Sequence, residues 1–245
     1  MKPILHKDAR ITVEKLVDGD KHYYFGYYGK SPWSHDGRYV VALEVDFIDR
    51  FKDESESANI ILIDVKTKKK KVLAKTRAWN WQQGAMMQWM PSKHKENRLI
   101  YNDIKDGVFI SRIIDVDSGK EDIIPYPIYD VHPKGRYATS LSFEKLEHVR
   151  RGYGYPGGEK DRFDKPIAEK EGVYLIDLEK KRRALIISLE ELYNHKKLST
   201  MDSGYHWIDQ PAFNTDGTRI CFLHRWKIDG GLFPVSYTHL TLPTK

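Results

Sequence analysis

The sequence predicts an all-β chain: a β-propeller of four-stranded antiparallel blades, about three and a half of them within 245 residues. Three observations predict it: two kinds of strand pair, their strict alternation, and their spacing. The first kind is an apolar strand, a polar turn and a second apolar strand, at 31–44, 88–103, 129–143 and 211–225. Trp33, Trp89, Val131 and Phe213 hold the same place in each. The second kind is an apolar strand closing on Asp, a charged turn and another strand, at 59–74, 108–125 and 172–188. Each first-kind pair is followed by a second-kind pair until the chain reaches its fourth unit. The first two anchor spacings approach the roughly 40–50 residues of one propeller blade. The third is stretched by insertions at 144–171 and 189–205.

Taken in order, blades are expected at 23–75, 79–125 and 126–188, with a half blade at 204–226, all within one partial propeller over 1–234. Asp64, Asp115 and Asp177 align where each second-kind turn opens, and an Asx side chain that starts a tight turn accounts for them. The lysine-rich run 66–71 and the run 180–183 fall in such turns and read as solvated. The half blade is a hairpin whose turn is Asn214-Thr215-Asp216-Gly217. A hairpin brings its open ends together, so Tyr205, His206 and Gln210 should meet His224 and Arg225. The stretch 235–245 reads VSYTHLTLPTK, resembles a translated sequencing-adaptor read-through, and is expected to be a non-native tail.

Composition narrows the function classes. Charged residues make up 31% and the net charge is +6, which favours an anionic partner over a cationic one. The single cysteine, Cys221, rules out an internal disulfide and a cysteine zinc site. No apolar run has the length of a membrane span, and the start carries no signal-peptide pattern, so a cytoplasmic location with no membrane partner is expected. The chain has no Gly-x-Ser-x-Gly elbow, no phosphate-binding loop and no Rossmann glycine set. It also shows no nucleic-acid recognition module, so nucleic acid is not an expected partner.

The turns 33–38, WSHDGR, and 213–218, FNTDGT, resemble the repeat of TolB-like β-propellers, which also occurs in oligogalacturonate lyases and in the propeller domains of prolyl oligopeptidases. The resemblance implies the fold and says little about activity. Its oligogalacturonate lyase branch implies a cytoplasmic enzyme that β-eliminates short uronic-acid chains with a divalent metal, manganese or similar, held by histidines and a glutamine. On that reading His206, Gln210 and His224 are the metal ligands. Tyr205 and His206 are the candidate bases, and Arg225 is a partner for the substrate carboxylate. The closely spaced Gln and His ligands of that family are not found in one strand here. The other branch implies a non-catalytic propeller that binds a protein or a glycan.

Two further stretches suit an acidic oligosaccharide or other glycan. Trp79, Trp81, Gln82 and Gln83 combine aromatic faces for sugar stacking with amides for hydroxyls, and the same pattern suits a packed tryptophan pair at a blade junction. Arg150 and Arg151, in a Gly- and Tyr-rich insertion, could clamp a carboxylate, or belong to an ordinary solvated loop.

Overall fold

The predicted strands are short, largely apolar runs bounded by polar turns, and the central strands of the blades, such as Tyr39–Val45 and Ala58–Asp64, are buried along nearly their whole length. The structure, a computed structural model, describes residues 13–27, 29–91, 97–158, 165–168, 170–195, 197–228 and the backbone of 235–241. The first blade is β1 (His22–Tyr24), β2 (Tyr39–Val45), β3 (Ala58–Asp64) and β4 (Lys70–Thr76). The second is β5 (Gln88–Trp89), β6 (Arg98–Lys105), β7 (Val108–Asp115) and β8 (Glu121–Ile124). The third is β9 (Asp130–Val131), β10 (Tyr137–Ser140), β11 (Gly172–Asp177) and β12 (Arg182–Ser188). Helix α1 (Phe143–Val149) lies between β10 and β11, and α2 (Leu189–Asn194) follows β12. The last sheet is β13 (Tyr205–Phe213), β14 (Arg219–Lys227) and β15 (Val235–Thr241). In every sheet the strands pair in chain order.

The last sheet departs from the expected hairpin. The stretch read as a tail supplies a third strand, paired along β14 from Arg219↔Thr241 to Arg225↔Val235. An uncovered strand edge carries a row of unpaired amide and carbonyl groups, and any extended segment that reaches it can satisfy them.

The aligned anchors are equivalent in space. Trp33 faces Val40, Trp89 faces Leu99, and Phe213 faces Ile220, each at the turn end of an inner strand. Val131 faces Ala138 in the same way. The aligned aspartates act as turn openers: Asp64, Asp115 and Asp177 accept from the backbone N–H of Thr67, Ser118 and Lys180 at 2.9, 2.7 and 3.0 Å. Two turn histidines tie neighbouring blades together. His35 Nε2 lies 3.1 Å from the Met90 carbonyl, and His132 Nε2 lies 3.1 Å from the Gly217 carbonyl.

Blades pack face to face. One buried cluster joins the first and second blades through Val41, Leu43, Ile60, Trp79, Leu99 and Tyr101. A second runs through the other blades and under α1, with Ile100, Phe109, Ile128, Phe143, Tyr155 and Trp207 among its members. The inner edges converge at Asp130. Its carboxylate pairs with Lys30 of the first blade and accepts from the Phe213 N–H of the last. Gln210 likewise donates to the Tyr27 hydroxyl. Among the described residues no helix is long and apolar enough to cross a membrane.

Candidate functional site

The insertion between β10 and β11 begins as a helix because Ser142 caps it, its hydroxyl accepting from Lys145 N–H at 3.1 Å. It then doubles back as an irregular loop. Gly154 sits so tightly against α1 that a Cβ there would lie 2.1 Å from the Phe143 carbonyl oxygen. Tyr155 stacks on Phe143 with ring centroids 4.4 Å apart. Its hydroxyl accepts from Asn102 at 3.1 Å. Asn80 holds the loop from the second blade, its side-chain amide donating to the carbonyls of Tyr153 and Gly154. Residues 143–155 of the insertion therefore form a wall anchored largely through backbone contacts.

This wall faces the loop between β2 and β3 across a cavity of about 490 Å³. Lys52, Asp53 and Glu54 line one side, and Glu144, Glu147, His148 and Arg151 line the other. The Arg151 guanidinium lies 4.6 Å from the centroid of Phe51, which is 48% exposed. The same ledge continues through Arg50, whose guanidinium covers Phe47 at 3.9 Å, to Trp81, whose indole N–H donates to the Arg50 carbonyl at 2.8 Å. Lys52 is buried and donates to the Arg77 carbonyl at 2.9 Å. Burial pushes its ammonium down to about 8, against the opposing pull of Glu147 and Glu56. Burial also raises the Glu147 carboxyl, although the Gly152 N–H bonds to it and Arg151 and Lys52 are near. A base lowered and an acid raised around one cavity is an arrangement suited to proton transfer.

Of the residues expected at the open end of the last hairpin, His206 and His224 meet, while Gln210 and Tyr205 turn to other partners. Ile208 faces His224, Trp207 faces Arg225 and His206 faces Trp226. Their side chains then divide into two groups. On one face, His206 and His224 bond each other, Nδ1 to Nε2, at 2.8 Å. His206 Nε2 is 2.9 Å from the Met201 carbonyl, which can only accept. So Nε2 of His206 carries the proton, its Nδ1 accepts, and His224 Nε2–H donates. Burial holds both imidazoles below the ordinary histidine range, His224 at about 4. Gln210 adopts a positive φ of 55° at a bulge, and its amide goes to Tyr27 instead.

The donor set expected for a divalent metal is therefore not assembled. Both His206 nitrogens and the inner His224 nitrogen are committed to hydrogen bonds, and the amide of Gln210 points elsewhere. Among the described residues no cluster of three His, Cys, Asp or Glu could hold a metal ion. For the same reason His206, with both nitrogens occupied and no exposed surface, is poorly placed to take a proton from a substrate.

On the other face, Asp209 is fully buried between two cations. Arg150 Nη1 donates to its Oδ2 at 2.8 Å, and Arg225 Nε lies 3.5 Å from the same oxygen. Burial raises the Asp209 carboxyl against the pull of Arg225 and Arg150. Arg150 also covers the Tyr153 ring at 3.4 Å. Tyr205 is half-buried under α1, its ring 5.9 Å from His148 and 5.0 Å from the Lys145 ammonium. Arg225 and Arg150 thus share a partner within the protein, whereas neighbouring Arg151 projects to the cavity.

The tryptophan stretch splits as well. Trp79 has no exposed surface and donates to the Glu56 carbonyl at 3.0 Å. Gln83 is buried and donates to the Tyr129 hydroxyl at 2.9 Å. Gly84 approaches the Phe25 carbonyl so closely that a Cβ would sit 2.6 Å away, so the close approach is to the protein's own backbone. Trp81 is half-buried against Tyr24, Phe47 and Trp79, and Gln82 is exposed.

Sequence reasoning missed Phe47, Arg50, Phe51, Lys52 and Glu147. The signal was present in FIDRF at 47–51, where two loop aromatics interleave with charge. Phe47 packs against Trp79 and Trp81, whereas Phe51 stays exposed under Arg151.

No family model and no curated protein matches the chain by sequence. Solved structures do match it. TolB from Acinetobacter baumannii aligns with a TM-score of 0.52 at 12% identity, over 96% of this chain and 45% of that one. Oligogalacturonate lyase from Vibrio parahaemolyticus aligns with a TM-score of 0.57 at 13% identity, over 94% of this chain and 54% of that one. An oligogalacturonate lyase in complex with manganese aligns with a TM-score of 0.45 at 11% identity, over 94% and 66%. The chain spans about half the length of the first two. Its four sheets in sequential order have the β-propeller fold of TolB and oligogalacturonate lyase.

Proposed function

We propose that the chain forms part of a carbohydrate-active enzyme resembling oligogalacturonate lyase and acting on acidic oligosaccharides. The observation that carries this reading is the cavity of about 490 Å³ between the 52–54 loop and the insertion, with Arg151 laid on exposed Phe51 at its rim. An acidic sugar offers an apolar ring face and a carboxylate side by side. The rim offers the complement, the exposed aromatic ring of Phe51 and the guanidinium of Arg151. The volume suits a short oligosaccharide segment rather than a bulky polymer. Arg150 and Arg225 are held by Asp209 within the protein, and the cavity wall also carries the carboxylates of Asp53, Glu54, Glu144 and Glu147. No step is assigned to a metal, because the residues expected to hold one do not form a donor set.

The test is direct. Short oligouronates are added to the full chain, and the absorbance of an unsaturated uronate is followed while binding is measured by calorimetry against neutral oligosaccharides of equal length. Preferential binding of the acidic series together with a new unsaturated product supports the reading. The committed state of His206 and His224 favours a second reading, a non-catalytic TolB-like propeller that binds a glycan or a protein. Binding without turnover selects it.

A further inference from the structure

One contact repeats at every blade junction, and the first blade lacks it. The residue just before each anchor accepts a hydrogen bond from the anchor of the next sheet. The Pro32 carbonyl accepts from the Trp89 indole N–H at 2.9 Å. Gln88 Oε1 accepts from the Val131 N–H at 2.9 Å, and Asp130 Oδ2 from the Phe213 N–H at 2.7 Å. Residues directly opposite in a strand pair share a face of the sheet. Leu99, opposite Trp89, packs with residues of the first blade, and Ile220, opposite Phe213, with residues of the third. Each of these anchors therefore faces the sheet before it.

Trp33 shares its face with Val40, and among the described residues no sheet lies before it. Its ring is 47% exposed, and its indole N–H has no hydrogen-bond partner among the described residues. On this flank Val40, Ala42, Ile61 and Ile63 are covered by Leu16, Val17, Tyr23 and Val65. The last sheet is open in the complementary sense. Ala212 precedes the anchor Phe213 and pairs with Cys221 on the face turned away from the third blade. Both are partly exposed, and among the described residues no sheet follows. The chain's own last sheet reaches the first blade through Gln210 and Tyr27 and leaves Trp33 exposed.

We propose that a second copy of the chain closes the ring head to tail, the last sheet of each copy docking on the Trp33 flank of the other. In this contact the Trp33 indole N–H donates to the Ala212 carbonyl of the second copy, as Trp89 donates to Pro32 within one chain. The chemistry matches. Gln88 and Asp130 accept through side chains and meet a backbone N–H, whereas Pro32 offers only its carbonyl and meets an indole. Ala212 likewise offers only its carbonyl, and the open anchor is a tryptophan. The Pro32 oxygen accepts from the Val41 N–H and from Trp89 together, so a carbonyl bonded within its sheet still has a lone pair for the indole. Two copies of four sheets make eight, within the roughly four to eight blades of closed propellers. Two copies also match in length the TolB and oligogalacturonate lyase chains of which one copy covers 45% and 54%. A head-to-tail contact stops growing where its rotation closes, here with two identical junctions.

Sedimentation and light scattering of the full chain test it. At micromolar concentration the unmodified chain should run at twice its formula mass and grow no further when concentrated. Trp33→Glu should run as a monomer with an unchanged circular dichroism spectrum, because the exposed indole has no partner within the chain to lose. Ala212→Lys should run as a monomer too. Mixed in equal amounts, the two variants should dimerise again. One junction then joins the introduced carboxylate to the introduced ammonium, and the other is the unmodified Trp33–Ala212 contact. That recovery separates head-to-tail closure from other apolar association, and its absence overturns the proposal. A monomeric unmodified chain also overturns it and leaves the flank to a sheet from a different polypeptide. A dimer that survives Trp33→Glu rejects this interface, and a mass that climbs steadily with concentration rejects closure. Should Ala212→Lys fail to fold, X-ray scattering of the unmodified dimer decides. A closed ring gives a radius of gyration of about 23 Å, that of one compact body of twice 245 residues, and an elongated profile rejects it.

Discussion

Acidification should weaken the last sheet through the buried histidine pair. His206 has no exposed surface and His224 only 2%. The bond between them, 2.8 Å long, requires both rings to be neutral, because a proton added to His206 Nδ1 would face the His224 N–H. In the unfolded chain each imidazole takes up a proton near pH 6.5. In the folded chain His224 resists until about 4, and His206 is also lowered. Between those values the unfolded state binds more protons, so stability is intact above pH 6.5 and falls as pH drops toward 4. For His224 alone the difference of roughly 2.5 pH units corresponds to about 3 kcal/mol by pH 4. That is a large share of a typical folding free energy of about 5–15 kcal/mol. Urea unfolding at a series of pH values measures the loss. His224→Gln, whose amide can still donate to His206 Nδ1, should flatten the curve by roughly half and so separate the histidines from titrating carboxylates. An NMR titration that finds folded His224 protonating at or above pH 6.5 would refute the reasoning, as would a His224→Gln curve that parallels the unmodified protein.

Other substitutions probe the frame of the site. Asp130→Ala removes the partner of Lys30 and the acceptor for Phe213 N–H, both partly buried, and should cost about 3–5 kcal/mol by chemical denaturation. Asn102→Ala should cost roughly 3 kcal/mol, since the fully buried amide bonds Ile128 N–H and C=O, Ser111 and Tyr155, and each would lose its partner. Gly154→Ala should lower the melting temperature and abolish oligouronate binding, because its Cβ would collide with the Phe143 carbonyl and push the cavity wall off α1. Arg151→Ala should leave the melting temperature within a degree or two while weakening oligouronate binding by about tenfold, a difference calorimetry and a thermal melt resolve together.

Local chemistry made much of the fold readable. Asp64, Asp115 and Asp177 mark their turns because the carboxylate caps the backbone of the next few residues, an effect that needs no distant partner. The helices were harder. The Ser188-to-Glu191 capping box that starts α2 is visible in the sequence, but the helix is under two turns long and periodicity cannot reveal it. The site was less legible still. His206 and His224 were found at the same end of one hairpin, as expected, yet the Met201 carbonyl that commits His206 comes from a 3-10 turn outside the hairpin. Which way Gln210 points depends on a bulge between Asp209 and Ala212 that shifts the register. Arg150 and Arg151 are adjacent in sequence, and only packing sends one to Asp209 and the other over Phe51.

The convergence on Asp130 bears on how the chain reaches its native state. Repeat proteins whose units touch only their neighbours can fold one unit at a time from any starting point. Here Lys30 bonds across 100 residues and Gln210 bonds Tyr27 across 183. Such contacts cannot form until the first and last sheets are both in place, and closing loops of that length carries an entropy cost before any reward. Folding should therefore be slow and all-or-none at the hub, with the outer strands free to fray without releasing it. Asp130→Ala would leave Gln210–Tyr27 as the remaining named tie between the first and last sheets and so weaken the cooperativity with which they melt.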